Sequence, residues 1–150
     1  MRLNVVHSTE LDEWIRDRHY LHTVPAGAVL RMEFLDDKGR RIGAMMWGRN
    51  PSPKTDQTNQ LCLTRMYFVD ETEQFAESKA LAMARKYIRK HLPHIKGVVA
   101  YSSSGAGHEG TVYMADNWFS VQTTRASVRD FRPGRKNVDT SRKTKWVRSP

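Results

Sequence analysis

The stretch Leu61-Cys62-Leu63-Thr64-Arg65-Met66-Tyr67-Phe68-Val69 is apolar at nearly every position. A strand with one wet face alternates apolar and polar residues, so a near-continuous apolar run predicts a central strand covered on both faces. Cys62 falls inside that run and reads as a small core residue rather than a nucleophile. A sheet with such a centre needs helices on both sides, and the flanking sequence supplies them.

Downstream, Asp70 to Thr72 turn the chain, and a helix is expected from about Glu73 to His91. Its stripe runs through Ala80, Leu81, Ala84, Tyr87, Ile88, His91 and Leu92, with Lys79, Arg85, Lys86, Arg89 and Lys90 outside it. Pro93 ends it. A strand follows over Ile95 to Tyr101, then the loop Ser102-Ser103-Ser104-Gly105-Ala106-Gly107. A short helix from His108 to about Asn117 and a last strand from Trp118 to Thr124 complete this side.

Upstream, Leu3-Asn4-Val5-Val6 reads as a short strand. Ser8 or Thr9 caps a helix ending near His19 or Tyr20, with Asp12 and Glu13 in its first turn. Pro25-Ala26-Gly27 interrupts the pattern. Ala28 to Leu35 and Arg41 to Gly48 flank the turn Asp36-Asp37-Lys38-Gly39 and predict a hairpin. Arg49 to Asn59 is a polar loop. The resulting order is β-α-β-β-β-α-β-α-β, an α/β (α+β) single domain with a mixed central sheet and helices on both faces.

The 150 residues include one cysteine, which excludes an internal disulfide framework and any multi-cysteine zinc site. No stretch approaches the roughly 20 apolar residues of a membrane span. Met1-Arg2-Leu3-Asn4-Val5-Val6-His7 is too polar for a secretion signal. A reduced, cytoplasmic setting without a membrane partner is expected.

The net charge of +9 is unevenly placed. Residues 125–150 carry nine basic side chains against two acids, while residues 1–124 carry 16 basic and 14 acidic ones. The chain therefore divides into a nearly neutral body, 1–124, and a basic C-terminal segment, 125–150. Such a segment attracts a polyanion, most often nucleic acid. The residues expected to contact it are Arg125, Arg129, Arg132, Arg135, Lys136, Arg142, Lys143 and Lys145, joined by Arg49 and Lys54 of the polar loop. The plainer alternative is a solubilising surface.

The element order resembles the N-acetyltransferase (GNAT) fold, in which acyl-coenzyme A lies in a V-shaped opening between two splayed central strands. That fold's glycine-rich pyrophosphate loop is absent: Asp70-Glu71-Thr72-Glu73-Gln74-Phe75-Ala76-Glu77-Ser78-Lys79 stands in its place. His19-Tyr20, Gly43 to Gly48, Leu63 to Phe68, Ala76 to Leu81 and Tyr101-Ser102 resemble segments of the phage Mom family of DNA-modification proteins. His108-Glu109-Gly110-Thr111-Val112-Tyr113-Met114-Ala115, with Asn117-Trp118-Phe119 behind it, is the most specific of these similarities. The resemblance implies a transferase that converts adenine N6 in double-stranded DNA to carbamoylmethyl (acetamido) adenine and so protects phage DNA from host restriction. It implies acetyl-CoA or a related acyl-CoA, raises iron as a further cofactor, and leaves a homodimer open. An ordinary acetyltransferase for another amine and a non-catalytic basic DNA-binding protein are the competing readings.

The resemblance gives individual residues their roles. Tyr113 would protonate the leaving thiolate, as a neutral phenol suits that task, or else pack as a helix tyrosine. His19 and Tyr20 border the acceptor side; His19 would act as a base or metal ligand, or merely cap the helix. His19, His22, His108 and Asp116 are the imidazoles and acid available to iron, and Asp116 also stands with His19, Tyr20 and Tyr113 among the catalytic candidates. Arg65 is costly in an apolar strand unless it pairs with an acid such as Glu77 or meets a phosphate or substrate. Met66, Tyr67 and Phe68 would lend backbone groups to the pantetheine arm, and Glu77 and Ser78 sit where helix amides meet the pyrophosphate. Glu77 would oppose that charge. Tyr101 and Ser102 stand at a strand end, where α/β sheets face ligands. Trp47 and Trp118 would stack on a flipped base or lie in the core.

Overall fold

A computed structural model of the chain describes residues 1–19, 22–25, 27–50, 57–70, 72, 75–103, 110–123 and 143–150. These residues form β1 (Arg2–Val5), α1 (Glu10–Arg18), β2 (Leu30–Leu35), β3 (Arg41–Gly48), β4 (Gln60–Phe68), α2 (Ala76–His91), β5 (Gly97–Ser103), α3 (Thr111–Ala115), β6 (Phe119–Thr123) and β7 (Lys143–Arg148). The strands join in one sheet of order β1-β2-β3-β4-β5-β7-β6. Every pairing is antiparallel except β4 with β5, which is parallel.

Two apolar clusters cover the two faces of the sheet. Leu11 and Ile15 of α1 pack on Ala44 and Met46 of β3. The alternate β3 residues, Met45 and Trp47, join Leu61 and Leu63 of β4 beneath Ala80, Leu81, Ala84 and Ile88 of α2. The expected stripe is buried at Ala80, Leu81, Ala84 and Ile88, but His91 is exposed, and Arg85, expected outside the stripe, is buried. Lys90 and Arg89 end that helix beside its carbonyls, where cations favour the dipole. The helix begins at Ala76 rather than Glu73 because Phe75 adopts a left-handed conformation (φ 67°), which stops it from extending backwards.

Salt bridges tie α1 to the sheet. Arg31 of β2 donates from Nε and Nη2 to Asp12 at 2.7 and 3.1 Å. Arg41 of β3 donates to both Glu10 oxygens at 2.8 and 2.9 Å, which holds the Glu10 carboxyl below its ordinary pKa.

The six expected strands and three expected helices form. The seventh strand, β7, corrects the reading of 125–150 as a segment outside the sheet. Lys143-Thr144-Lys145-Trp146-Val147-Arg148 inserts between β5 and β6, pairing Tyr101 with Lys145 and Ala100 with Trp146. Trp146 is buried against the α2-side cluster and anchors the strand. Arg125, Arg129, Arg132, Arg135, Lys136 and Arg142 lie outside the described residues.

Candidate functional site

The central pair β4 and β5 is paired over only part of its length. Register partners run from Gln60–Gly97 to Leu63–Ala100 and no further. Beyond them β4 stays with β3 to Phe68, and β5 stays with β7 to Ser103. The two halves of the sheet therefore diverge, opening a V between Thr64–Phe68 and Tyr101–Ser103.

The divergence has a local cause. Met46 pairs with Arg65 and Trp47 with Leu63, so Thr64 is the extra residue of a β-bulge. Its hydroxyl donates to the Met46 carbonyl at 3.0 Å. A bulge bends and twists its strand, and this one sits one residue past the last β4–β5 pair. Burial follows the same division: Leu61, Cys62 and Leu63 are buried, whereas Thr64 to Tyr67 are half-buried. The expected double covering holds only for the first half of the strand.

A cleft of about 440 Å³ adjoins the bulge, lined by Thr64, Gly48, Arg49 and the connection Pro25, Gly27, Ala28 and Val29. This volume falls in the range of small-ligand sites. Arg65 fastens the connection to the sheet: Nε donates to Thr23 O at 2.9 Å, Nη2 to Thr23 Oγ1 at 3.2 Å, and Nη1 to Thr64 O at 2.7 Å. These bonds give Arg65 a partner the sequence reading does not include: its guanidinium holds the loop after α1. His22 reinforces the same segment, its backbone N–H donating to His19 O at 2.9 Å and its Nδ1 to Arg16 O at 3.2 Å. His19 is buried at the end of α1. Tyr20 and Lys54 lie outside the described residues.

At the mouth of the V, the Tyr101 hydroxyl donates to Asn50 Oδ1 at 3.1 Å. Burial raises the phenol's pKa, an effect the Asn50 bond partly offsets. Burial pushes the neighbouring Cys62 thiol up to about 12, so it stays protonated and inert, as the sequence predicts. The Asn50 contact links the chain after β3 to β5. No sequence pattern announces it.

The other candidates divide by environment. The Tyr67 ring packs edge-on against Trp14 of α1 at 5.6 Å, and the Phe68 ring covers Gly43. Met66 packs on the α2 side. These side chains are committed to packing, which leaves the strand backbone facing the opening. Ser78 Oγ donates to Phe75 O at 3.0 Å, and Glu77 is exposed in the first turn of α2. Ser102 is buried and accepts from Trp146 Nε1 at 2.9 Å. Tyr113 is buried, with its ring 5.3 Å from Trp118 and 5.9 Å from Trp146. Trp47 and Trp118 are core residues, so neither stacks on a base.

Asp116 requires a correction. It was expected among the catalytic groups or iron ligands, but it lies buried and accepts from Arg85 Nε at 2.7 Å and Nη2 at 2.6 Å. Trp118 Nε1 donates to it at 2.7 Å, and Arg148 donates to its backbone carbonyl. Its oxygens are occupied by structural donors. Among the described residues no three His, Cys, Asp or Glu side chains converge as a metal site. Asp116 is thus taken by other partners, and His108 of the expected iron set lies outside the described residues. No helix among the described residues is long and apolar enough to cross a membrane.

Comparison with known proteins follows the geometry. The model of the Mom protein family matches residues 1–149. The methylcarbamoylase mom of Escherichia phage Mu is 26% identical over 112 residues, which cover 69% of this chain and 46% of that protein. The chain thus spans about half the length of that relative. Among solved structures, a GNAT-like decarboxylase in complex with isobutyryl-CoA superposes with a TM-score of 0.67 at 13% identity, covering 99% of each chain. A dodecameric spermidine N-acetyltransferase from Vibrio cholerae gives a TM-score of 0.66 at 10% identity, covering 99% of this chain and 92% of that one. Identities this low establish the GNAT fold, with its mixed sheet and parallel central pair.

Proposed function

The chain belongs to the Mom protein family, and from that premise we propose that it transfers an acyl-derived group from acetyl-CoA or a related acyl-CoA to the N6 amine of adenine in double-stranded DNA. The product, carbamoylmethyl adenine, carries N6–CH2–CO–NH2, whose N–CH2 bond and amide nitrogen a thioester acyl transfer alone does not provide, so the reaction draws on a co-substrate of glycine type besides the acyl-CoA. The effect of the modification is protection from host restriction. The observation that carries this reading is the divergence of β4 and β5 after Leu63 and Ala100, in a chain of this family.

Acyl-CoA supplies an acyl carbon activated as a thioester. The backbone of Arg65 to Phe68 borders the V and holds the pantetheine arm as a neighbouring strand would. The first turn of α2 meets the pyrophosphate, but the exposed Glu77 there weakens the hold that glycine-rich relatives of the fold achieve with bare amides. Tyr113 donates the proton to the departing sulfur, its ring fixed by Trp118 and Trp146.

The acceptor imposes its own demands. Adenine N6 is inaccessible inside a duplex, so the base is flipped out to react. Its lone pair is delocalised into the ring, so the amine is a weak nucleophile and must lose its proton as the new bond forms. His19, at the end of α1 where the connection to the cleft begins, takes that proton.

The test is the mass of nucleosides from DNA of cells expressing the soluble protein. Carbamoylmethyl deoxyadenosine is expected, and adenine left unmodified overturns the reading. Acetyl-CoA turnover without DNA would instead identify another amine as acceptor. Steeply salt-dependent binding without chemical change would identify a binding protein.

A further inference from the structure

Gly48 ends β3 at the wall of the cleft. Alternate residues of a strand share a face, so Gly48 follows Ala44 and Met46 on the α1 side. Ala44 and Met46 lie beneath Leu11 and Ile15 of α1, but at Gly48 the facing chain is the connection through Pro25, Gly27 and Ala28. The backbone does not require a glycine here, because the φ of Gly48 is not positive. Among the described residues, an added Cβ would meet Thr64 Cγ2 at 3.7 Å and Gly27 O at 3.9 Å, both ordinary van der Waals distances. Gly43, on the same strand, differs: there the Phe68 ring already fills the space at 2.3 Å. A glycine inside a strand weakens it and marks a place where a ligand or another backbone comes close. The space left beside Gly48 belongs to the cleft of about 440 Å³.

The chemistry of the walls narrows the ligand. Thr64 gives its hydroxyl to the Met46 carbonyl, so its methyl group is what faces Gly48. Pro25, Ala28 and Val29 add aliphatic surface, and Val29 is 55% exposed. The single charge on the cleft is Arg49, which is exposed and has no hydrogen-bond or ion-pair partner among the described residues. A bare peptide plane, aliphatic walls and one guanidinium suit a flat ring that carries an anion. A neutral apolar ligand would leave Arg49 unused, and an inorganic anion would leave the walls unused. A nucleotide uses both.

We infer that Gly48 is the stacking surface of a nucleotide slot, with the base flat on its peptide plane and the phosphate on Arg49, and that its missing side chain sets the depth of the slot. That the nucleotide is the extruded deoxyadenosine of DNA rests on the reaction proposed above. The adenosine 3′-phosphate of coenzyme A has the same chemistry. The first turn of α2, which meets the pyrophosphate, is on the other face of the sheet, so the slot serves the acceptor.

The experiment titrates deoxyadenosine 5′-monophosphate, deoxyadenosine and coenzyme A into the full chain and into its Gly48→Ala and Arg49→Gln variants. Nuclear magnetic resonance shifts give the affinities, and circular dichroism gives the melting midpoints. The wild type should bind the monophosphate saturably. Gly48→Ala should weaken the monophosphate and the nucleoside alike, by roughly 5- to 150-fold. Its midpoint should hold or rise by about 1–4 °C, because alanine restricts the unfolded chain and meets no clash. Arg49→Gln should weaken the monophosphate by roughly 2- to 5-fold and leave the nucleoside unchanged. Coenzyme A affinity should hold in both variants. A wild type that does not bind the monophosphate overturns the inference, as does a Gly48→Ala variant that binds it normally. A lowered midpoint in Gly48→Ala also overturns it, because the glycine then serves the fold. Loss of coenzyme A affinity in Gly48→Ala gives the slot to the coenzyme and removes the acceptor from it. Nucleoside masses from DNA are read separately. Normal modification by Gly48→Ala together with normal nucleotide binding removes the slot alone. Unmodified adenine in the wild type removes the reaction, and the titrations still decide the slot.

Discussion

Arg85 and Asp116 form a buried bidentate pair, Nε to Oδ2 at 2.7 Å and Nη2 to Oδ1 at 2.6 Å, that joins the middle of α2 to the end of α3. Removing one partner leaves the other charge buried alone, which typically costs about 3–5 kcal/mol. Asp116→Asn should therefore lower the melting midpoint by roughly 6–20 °C, read by circular dichroism. Pairing Asp116→Leu with Arg85→Met should recover most of the loss, because an apolar pair of similar volume is tolerated. A catalytic acid or metal ligand would behave otherwise: Asp116→Asn would abolish turnover with the midpoint unchanged.

The same residue shows how far sequence carries. The strand within Leu61 to Val69, the apolar core of the α2 stripe at Ala80, Leu81, Ala84 and Ile88, and the hairpin turn at Asp36 to Gly39 are local patterns, and these form as read. Asp116 follows no such pattern, because its partners Arg85 and Arg148 are 31 and 32 residues away. Lys143 to Arg148 was misread for a related reason. A strand whose outward positions are Lys143 and Lys145 has the composition of a charged tail, and only its pairing with β5 and β6 reveals it. Arg65 was rightly singled out as a costly charge, but its partner, the Thr23 backbone, has no sequence signature. Thr64 offered a usable signal: it is the uncharged polar residue in the apolar run, and it marks the bulge.

Deleting residues 143–150 should abolish cooperative unfolding instead of trimming a tail. The deletion exposes the inner edges of β5 and β6 together and removes Trp146, whose ring packs with Tyr113. It also removes the Arg148 donor to Asp116. Thermal unfolding followed by near-ultraviolet circular dichroism checks this. A truncated chain that melts sharply at the wild-type midpoint would show that β7 is dispensable.

Gly43 carries the Phe68 ring, and an added Cβ would sit 2.3 Å from ring atom Cε1. Gly43→Ala should cost about 1–3 kcal/mol as the ring is displaced from Phe34, its neighbour at 5.5 Å. Phe68→Leu in the same chain should make the alanine nearly neutral, since the clashing edge is gone. Denaturant titration of both single variants and the double variant gives the coupling, which should favour the double. Additive effects would mean that the ring is not the obstacle.

Tyr113→Phe separates packing from chemistry. The ring and its contacts with Trp118 and Trp146 survive, so the melting midpoint should change little. Loss of the proton donor should slow turnover by roughly 10²–10⁴-fold, measured as thiol release from acetyl-CoA in the presence of duplex DNA. Wild-type turnover with an unchanged midpoint would leave the tyrosine as a packing residue only.

Arg65→Met tests whether the central-strand arginine serves the loop or the cofactor. Methionine keeps the apolar stem and removes the donors to Thr23 O, Thr23 Oγ1 and Thr64 O. Bonds from a charged donor are each worth about 1.5–3 kcal/mol, so the connection after α1 should loosen. Hydrogen exchange of residues 22–25 should accelerate while β3 and α2 keep their protection. Coenzyme A affinity, measured by calorimetry, should hold, because the guanidinium spends its bonds on the loop. The Michaelis constant for DNA should rise, since the loop walls the cleft at Pro25 and Gly27. A collapse of coenzyme A affinity with normal exchange would return Arg65 to the cofactor.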